Sequence, residues 1–143
     1  GPALSMLGVH FIGSGDASAL QSMHGQAEVD EDIREICAVN KYAKDLKFMD
    51  YVWCRNKSIK DSNWQACTGG ETGIDTETIK KCFEGDEGKD LLAKSFEYSK
   101  STGFGASPTF LSNNKREFNA IAAGDIQKQI CTDNPSLKGC SAR

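Results

Sequence analysis

The sequence has no surplus of positive charge and no long apolar run. Among 143 residues, 17 are Lys or Arg and 20 are Asp or Glu, which gives a net charge of −3. A surface that holds a phosphate backbone needs clustered cations, so nucleic-acid binding is not expected. No apolar stretch approaches the roughly 18 residues of a membrane-spanning helix. We therefore expect no membrane insertion by this segment.

Closely spaced cysteines are also missing. No two cysteines have two residues between them, the C-x-x-C spacing of zinc ribbons and of redox dithiols. The two histidines, His10 and His24, lie far from every cysteine pair in the sequence. No glycine-rich stretch carries the Lys and Ser or Thr of a phosphate-binding loop. We therefore expect no metal and no cofactor.

Six cysteines are present, at positions Cys37, Cys54, Cys67, Cys82, Cys131 and Cys140. An even number at this density favours structural disulfides and an oxidising compartment, whether secreted, periplasmic or lumenal. Fifteen pairings are possible in principle. The loops from Cys54 to Cys67 and from Cys131 to Cys140 are the shortest to close, which would leave Cys37 with Cys82.

The first part of the chain predicts a strand and then a helix. Residues 9–12 form a short apolar run that Gly13 ends, which is typical of a buried strand. Apolar residues at helical spacing predict a helix over residues 26–42. Its acidic residues are expected at the helix start and on a solvated outer face, in preference to a cation site. They are Glu28, Asp30, Glu31, Asp32 and Glu35.

Three further features are predicted in the middle of the chain. The apolar run over residues 47–53 favours a helix, and Trp64 is expected to be the one large buried anchor of the polar stretch that follows. Asp75 has the character of an N-cap at the start of a short helix. Residues 87–100 carry an apolar stripe that predicts a helix ended by Gly103.

The last part predicts a hairpin and a helix. Residues 109–111 favour a strand, the asparagines at 113–114 a turn, and residues 117–121 the returning strand. Isoleucines four residues apart then predict a short helix over residues 126–131. The expected order is strand, several helices, hairpin and helix, the order of an α/β fold.

Residues 22–37 read SMHGQAEVDEDIREIC and resemble the signature of the gamma-interferon-inducible lysosomal thiol reductase (GILT) family, C-Q-H-G-x-x-E-C-x-x-N-x-x-x-x-C. The positions that match are His24, Gly25, Glu28 and Cys37. The positions that depart are Ser22 and Val29 in place of cysteines, Met23 in place of Gln, and Asp32 in place of Asn.

The resemblance covers residues 9–140, and Ser107, Pro108 and Thr109 occupy the place of the family's proline loop. DsbA-like proteins share this layout of a helical insertion before such a loop. The resemblance implies a thioredoxin-like sheet with an inserted helical subdomain, over residues 9–143 with the insertion at about 25–102. Residues 1–8 are then a tag remnant or the end of an upstream helix.

The resemblance also implies a site. The peptide bond before Pro108 is expected to be cis, so that Ser107 and its neighbours Pro108 and Thr109 pair with a substrate strand. The family's redox dithiol precedes residues 9–12, and we expect no catalytic residue in this chain. The segment was removed, or the protein dispenses with it. A second chain, a strand swapped from a second copy, or a rearranged sheet held by the disulfides would then fill the place of the missing strand.

Two functions follow from these expectations. The first is an extracytoplasmic, disulfide-stabilised, thioredoxin-like domain associated with thiol–disulfide exchange. It would be an oxidoreductase if the full-length protein carries an upstream C-x-x-C, and inactive as this chain. The alternative is a non-catalytic module that kept the fold, lost the dithiol and binds a protein. Ser22 and Val29 in place of cysteines favour the alternative.

Overall fold

A computed structural model describes residues 7–140 of the chain. They divide into two compact units, one up to Gly103 and one from Phe104. The described residues form five α-helices and one two-stranded antiparallel sheet, so the fold is mixed α/β, as expected. The predicted tag remnant or helix end at residues 1–8 lies outside the described residues, apart from its last two positions.

The helices of the first unit are α1 (Gln26–Lys41), α2 (Phe48–Lys57), α3 (Thr76–Glu84) and α4 (Asp86–Thr102). Single 3₁₀ turns lie at Lys44–Leu46, Trp64–Cys67 and Gly70–Thr72. The second unit contains β1 (Phe110–Ser112), β2 (Arg116–Phe118) and α5 (Ala123–Asp133). The five helices predicted from the sequence are thus confirmed, although their observed ends differ from the predicted ones by a few residues.

The core of the first unit lies between α1 and the helices that pack on it, α2, α3 and α4. Its largest fully buried side chains are Tyr51, Phe48, Ile74, Ile79, Leu92, Cys37 and Cys82. Gly88 of α4 lies close to α1. A Cβ atom there would lie 2.6 Å from the Cγ2 of Ile33 and 3.1 Å from the sulfur of Cys37. Only glycine lets α4 come this near to α1.

The ends of α3 and α4 follow their sequence signals. The Asp75 carboxylate accepts a hydrogen bond of 2.7 Å from the backbone N–H of Thr78, which makes it the predicted N-cap of α3. Gly103 follows the last turn of α4 with φ of 78°, the left-handed conformation that ends many helices. Trp64 is 7% exposed, in line with its predicted role as a buried apolar residue.

The predicted strand over residues 9–12 is wrong. This segment pairs with no strand among the described residues. Instead, the backbone N–H of Phe11 donates to the hydroxyl of Ser95 at 2.8 Å, and its carbonyl accepts from the hydroxyl of Ser99 at 2.7 Å. Serines of α4 therefore take the place of a neighbouring strand, which local sequence could not reveal.

The second unit is built on the β1–β2 hairpin. Phe110 pairs with Phe118 and Ser112 with Arg116, in antiparallel register. Asn113 and Asn114 form the predicted turn, both at positive φ. The returning strand ends at Phe118, so its predicted extension to residue 121 is wrong.

Arg116 connects this hairpin to α5. Its Nε lies 2.8 Å from both carboxylate oxygens of Asp133, and its terminal nitrogens donate to the side chain and the carbonyl of Gln129. The rings of Phe110 and Phe118 stack with centroids 5.1 Å apart on the sheet. Arg116 and this aromatic pair thus help to stabilise the second unit.

Candidate functional site

Every cysteine of the chain is in a disulfide bond, and no free thiol is present. The pairs are Cys37 with Cys82, Cys54 with Cys67, and Cys131 with Cys140. These three pairs confirm the predicted pairing, in which the two shortest loops close and Cys37 is left with Cys82. The chain is thus a disulfide-stabilised domain, and the bonds fit an oxidising compartment.

Two of the disulfides connect elements of the first unit. Cys37 of α1 and Cys82 of α3 are both buried, with Cα atoms 6.0 Å apart. Cys54 connects α2 to the following 3₁₀ turn at Cys67, over a separation of 13 residues. The buried Cys37–Cys82 disulfide is structural and unreactive, because a reactive cysteine must be exposed and in the thiolate form.

Three of the four residues that match the GILT signature, His24, Gly25 and Glu28, lie at the beginning of α1, and the fourth, Cys37, lies in its later half. The backbone N–H of His24 donates to the Glu28 carboxylate at 2.8 Å, and the His24 ring lies 3.1 Å from the same oxygen. Gly25 precedes the helix with φ of 87°, and its carbonyl accepts from the Ser22 hydroxyl. Burial favours the neutral acid, but hydrogen bonds from His24 and Ser22 prevail and lower the pKa of Glu28. These residues therefore hold a helix start.

An ionic cluster that the sequence did not predict lies between α1 and α2. Glu31 is 6% exposed, and its carboxylate accepts hydrogen bonds from Arg55 at 2.9 Å and from Arg34 at 2.7 Å. The Tyr51 hydroxyl donates to it at 3.3 Å. The prediction of a solvated face is wrong for Glu31, because two arginines neutralise it inside the unit.

Two neighbouring acids of α1 lack such partners. Burial, and then repulsion from Glu28, Glu35 and Glu31, raises the pKa of Asp32 to about 8. Burial and repulsion from Glu31 likewise raise the pKa of Glu35 to about 7, against the attraction of Arg55 and Arg34. Arg34 and Arg55 both donate to Glu31, and Arg55 also donates to backbone carbonyls. Among the described residues, neither arginine forms a hydrogen bond with Asp32 or Glu35. These acids titrate near neutral pH.

The predicted substrate-binding residues lie together on the loop that precedes β1. Ser107 and Pro108 are exposed, Thr109 is partly exposed, and the Ser107–Pro108 peptide bond is cis, as the resemblance implies. The Asn119 side chain donates to the carbonyl of Pro108 at 2.7 Å and to the hydroxyl of Thr109 at 3.0 Å. The Thr109 hydroxyl in turn donates to the carbonyl of Ala106. Side-chain hydrogen bonds therefore fix an exposed loop.

The backbone of Ser107 is one part of this loop that has no hydrogen-bond partner among the described residues. No hydrogen bond joins its N–H or its C=O to another of the described residues. An exposed donor and acceptor on a fixed backbone can be paired by an extended peptide, as in strand addition to a sheet edge. The loop therefore offers one exposed backbone donor and one exposed backbone acceptor, and residues 107–109 carry no charged side chain.

Asn119 is the residue of this loop that the sequence reasoning missed. A signal for it was present in the hairpin register. Since Phe110 pairs with Phe118, the next position outward places Asn119 opposite Thr109. The predicted turn at residues 113–114 could therefore have indicated that this asparagine reaches the loop.

The rest of the described chain offers no comparable site. Within residues 7–140, no three His, Cys, Asp or Glu side chains are grouped so that they could hold a metal ion. In the same range, no helix has both the length and the apolar character needed to cross a membrane. One surface cavity of the first unit, about 470 Å³, is lined by three lysines and two acids. Its lining residues are Lys41, Tyr42, Lys44, Asp45, Lys47 and Asp50.

Comparisons of the chain with protein-family models, with curated proteins and with solved structures find no match. The class that the fold and the disulfides define is a disulfide-stabilised mixed α/β protein.

Proposed function

We propose that this chain binds an extended protein segment at the loop of Ser107, Pro108 and Thr109, as the substrate-binding part of a thioredoxin-like thiol–disulfide oxidoreductase. The observation that carries the proposal is the exposed, unpaired backbone of Ser107 beside side-chain contacts that hold the loop. A fixed loop binds tightly because little conformational entropy is lost when the partner arrives.

The resemblance supplies the redox part of the proposal. Residues 22–37 and the loop at 107–109 resemble the GILT and DsbA-like families, in which such a loop lies next to a reactive dithiol. Thiol–disulfide exchange needs an attacking thiolate and a resolving thiol. All six cysteines of this chain are bridged, so the dithiol would belong to residues outside this sequence.

Peptide binding tests the role of the Ser107 backbone. A fluorescently labelled, cysteine-free peptide of high strand propensity is titrated with the wild-type chain, and binding is followed by anisotropy. Ser107→Ala keeps the backbone donor and should bind as wild type does. Ser107→Pro removes the N–H and should weaken binding at least tenfold, which is about 1.4 kcal/mol. Equal affinities for Ser107→Pro and Ser107→Ala would refute the proposal.

Insulin reduction tests the redox part. In the presence of dithiothreitol, this chain should not raise the rate of insulin reduction above the uncatalysed rate. The complete protein with an upstream C-x-x-C should raise that rate and accelerate precipitation of the reduced insulin chains. Activity of the present chain would contradict the assignment of its cysteines as structural.

A second candidate is a non-catalytic protein-binding module. The observation that favours it is that every sulfur is bridged, together with Ser22 and Val29 at positions where the family signature has cysteine. The peptide-binding result would be the same for both candidates. The open reading frame upstream of residue 9 separates them, because only the redox candidate requires a strand followed by C-x-x-C.

A further inference from the structure

Asn56, Lys57 and Ser58 form the acceptor sequence for asparagine-linked glycosylation, Asn-x-Ser with a residue other than proline in the middle. All three residues are exposed. They lie at the end of α2, where Lys57 is the last helical residue and Ser58 has left the helix with φ of −150°. An acceptor sequence has meaning only in a secreted protein, and the three disulfides fit that compartment.

The Asn56 side chain is free to react. Its amide makes no hydrogen bond to any described residue, in contrast to Asn119 and Asn134, whose amides donate to backbone carbonyls. A sugar on Asn56 would therefore break no contact of the fold.

The other asparagines do not compete with this position. Asn134 is followed by Pro135 and Ser136, and proline in the middle position blocks transfer. The remaining asparagines lack Ser or Thr two residues later: Asn40, Asn63, Asn113, Asn114 and Asn119.

We propose that Asn56 carries an asparagine-linked glycan in the secretory pathway. The donor is an oligosaccharide attached through a pyrophosphate to a lipid. The side-chain nitrogen Nδ2 of Asn56 forms a bond to the anomeric carbon of the first sugar and gives up one proton. The bond from that carbon to the pyrophosphate oxygen breaks, and the lipid pyrophosphate leaves. No oxidant or reductant takes part.

The glycan would also cover exposed apolar surface. Trp53 is 61% exposed and Ile59 is 47% exposed, two unusually open large side chains. Trp53 and Asn56 are three residues apart on α2, so their Cβ atoms are roughly 5–6 Å apart on one face. The first sugars on Asn56 are therefore within reach of the Trp53 ring.

Peptide mapping tests the modification. The full chain is secreted from a eukaryotic cell line behind a secretion leader, and the glycan is released with a peptide:N-glycosidase, which converts the modified asparagine to aspartate. We expect aspartate at position 56 in the released protein. Asn56→Gln and Ser58→Ala should lose the glycan, and Ser58→Thr should keep it. Asn63→Gln is the matched control and should remain glycosylated.

Two results decide the proposal. Unmodified Asn56 in secreted wild-type protein whose three disulfides have formed would overturn it. A Pro135→Ala variant that gains a glycan at Asn134 while Asn56 stays unmodified would overturn it as well, because the transfer machinery then acts on this chain but not at Asn56.

Collisional quenching tests the contact with Trp53. Trp64 is 7% exposed, so a soluble quencher acts mainly on Trp53. We expect quenching to increase when the glycan is released, and to stay unchanged when the unglycosylated Asn56→Gln protein receives the same treatment. Equal quenching before and after release would contradict the covering of Trp53.

Discussion

The hydroxyl of Ser99 donates a hydrogen bond of 2.7 Å to the carbonyl of Phe11, a residue 88 positions earlier in the chain. Ser95, one turn earlier on α4, accepts from the N–H of the same Phe11. Both serines are buried. The segment before α1 is thus attached to α4 by side chains that satisfy its backbone.

Removal of either serine hydroxyl should weaken this attachment. We expect Ser95→Ala and Ser99→Ala each to lower the free energy of unfolding by about 1–3 kcal/mol, because one backbone group of Phe11 loses its partner. Urea denaturation measures the change. Ser101→Ala, on the same helix but exposed, should change stability by less than about 0.5 kcal/mol. Equal effects at all three positions would contradict the role of Ser95 and Ser99.

The sequence predicted the helices because their apolar residues recur at helical spacing. It failed at residues 9–12 for a physical reason. A short apolar run bounded by glycine predicts a strand only if another strand supplies the hydrogen bonds, and here serines distant in sequence supply them. Local pattern therefore indicates extended backbone but not its partner.

The ionic cluster was missed for a related reason. Acids on a helix predict a solvated face, and the cations that bring Glu31 inside come partly from another helix, with Arg55 24 positions later. The loop at residues 107–109, in contrast, was predicted through its resemblance to a family motif, and its role in substrate binding stays a prediction. Asn119, which holds that loop, followed only from the hairpin register.

Arg55→Met should be strongly destabilising. It leaves Glu31 buried with one arginine and removes donors to the carbonyls of Ile59 and Asp61. We expect a loss of about 3–5 kcal/mol in the free energy of unfolding. Lys41→Met, which breaks the exposed pair with Glu87, should cost less than about 1 kcal/mol. A similar small loss for both variants would show that the Arg55 contact does not stabilise the fold.

Asp32 and Glu35 should make stability depend on pH. Their pKa values in the folded state, about 8 and about 7, lie above the ordinary values of 3.8 and 4.5. Between these limits the folded state binds more protons than the unfolded state. The contribution of these acids to stability is therefore complete below their ordinary pKa values and is lost as pH rises through the folded ones.

Asp32→Asn tests this dependence. From about pH 5 to about pH 8, the wild-type chain should lose more stability than the variant, since the amide cannot ionise. Urea denaturation at several pH values gives the comparison, with Asp90→Asn on the exposed side of α4 as the control. If Asp32→Asn and wild type show the same pH dependence, the unpaired burial of Asp32 is not supported.

Loss of the Cys37–Cys82 disulfide should cost more than loss of Cys54–Cys67. The first closes a separation of 45 residues and the second a separation of 13, which corresponds to about 4 and about 3 kcal/mol through the entropy of the unfolded chain. Double alanine variants of each pair, compared by thermal unfolding, measure the order. A greater loss of stability without Cys54–Cys67 than without Cys37–Cys82 would contradict the loop-length argument. Thiol titration of the denatured wild-type chain should detect no free thiol.

NMR chemical shifts of the backbone amides show whether Ser107 offers its backbone to an extended protein segment. On addition of an unlabelled, cysteine-free strand-forming peptide, the amide of Ser107 and those of its neighbours at residues 105–110 should shift, with saturation at a common affinity. Shifts confined to α1–α4, or none at any peptide concentration, would contradict this role of Ser107.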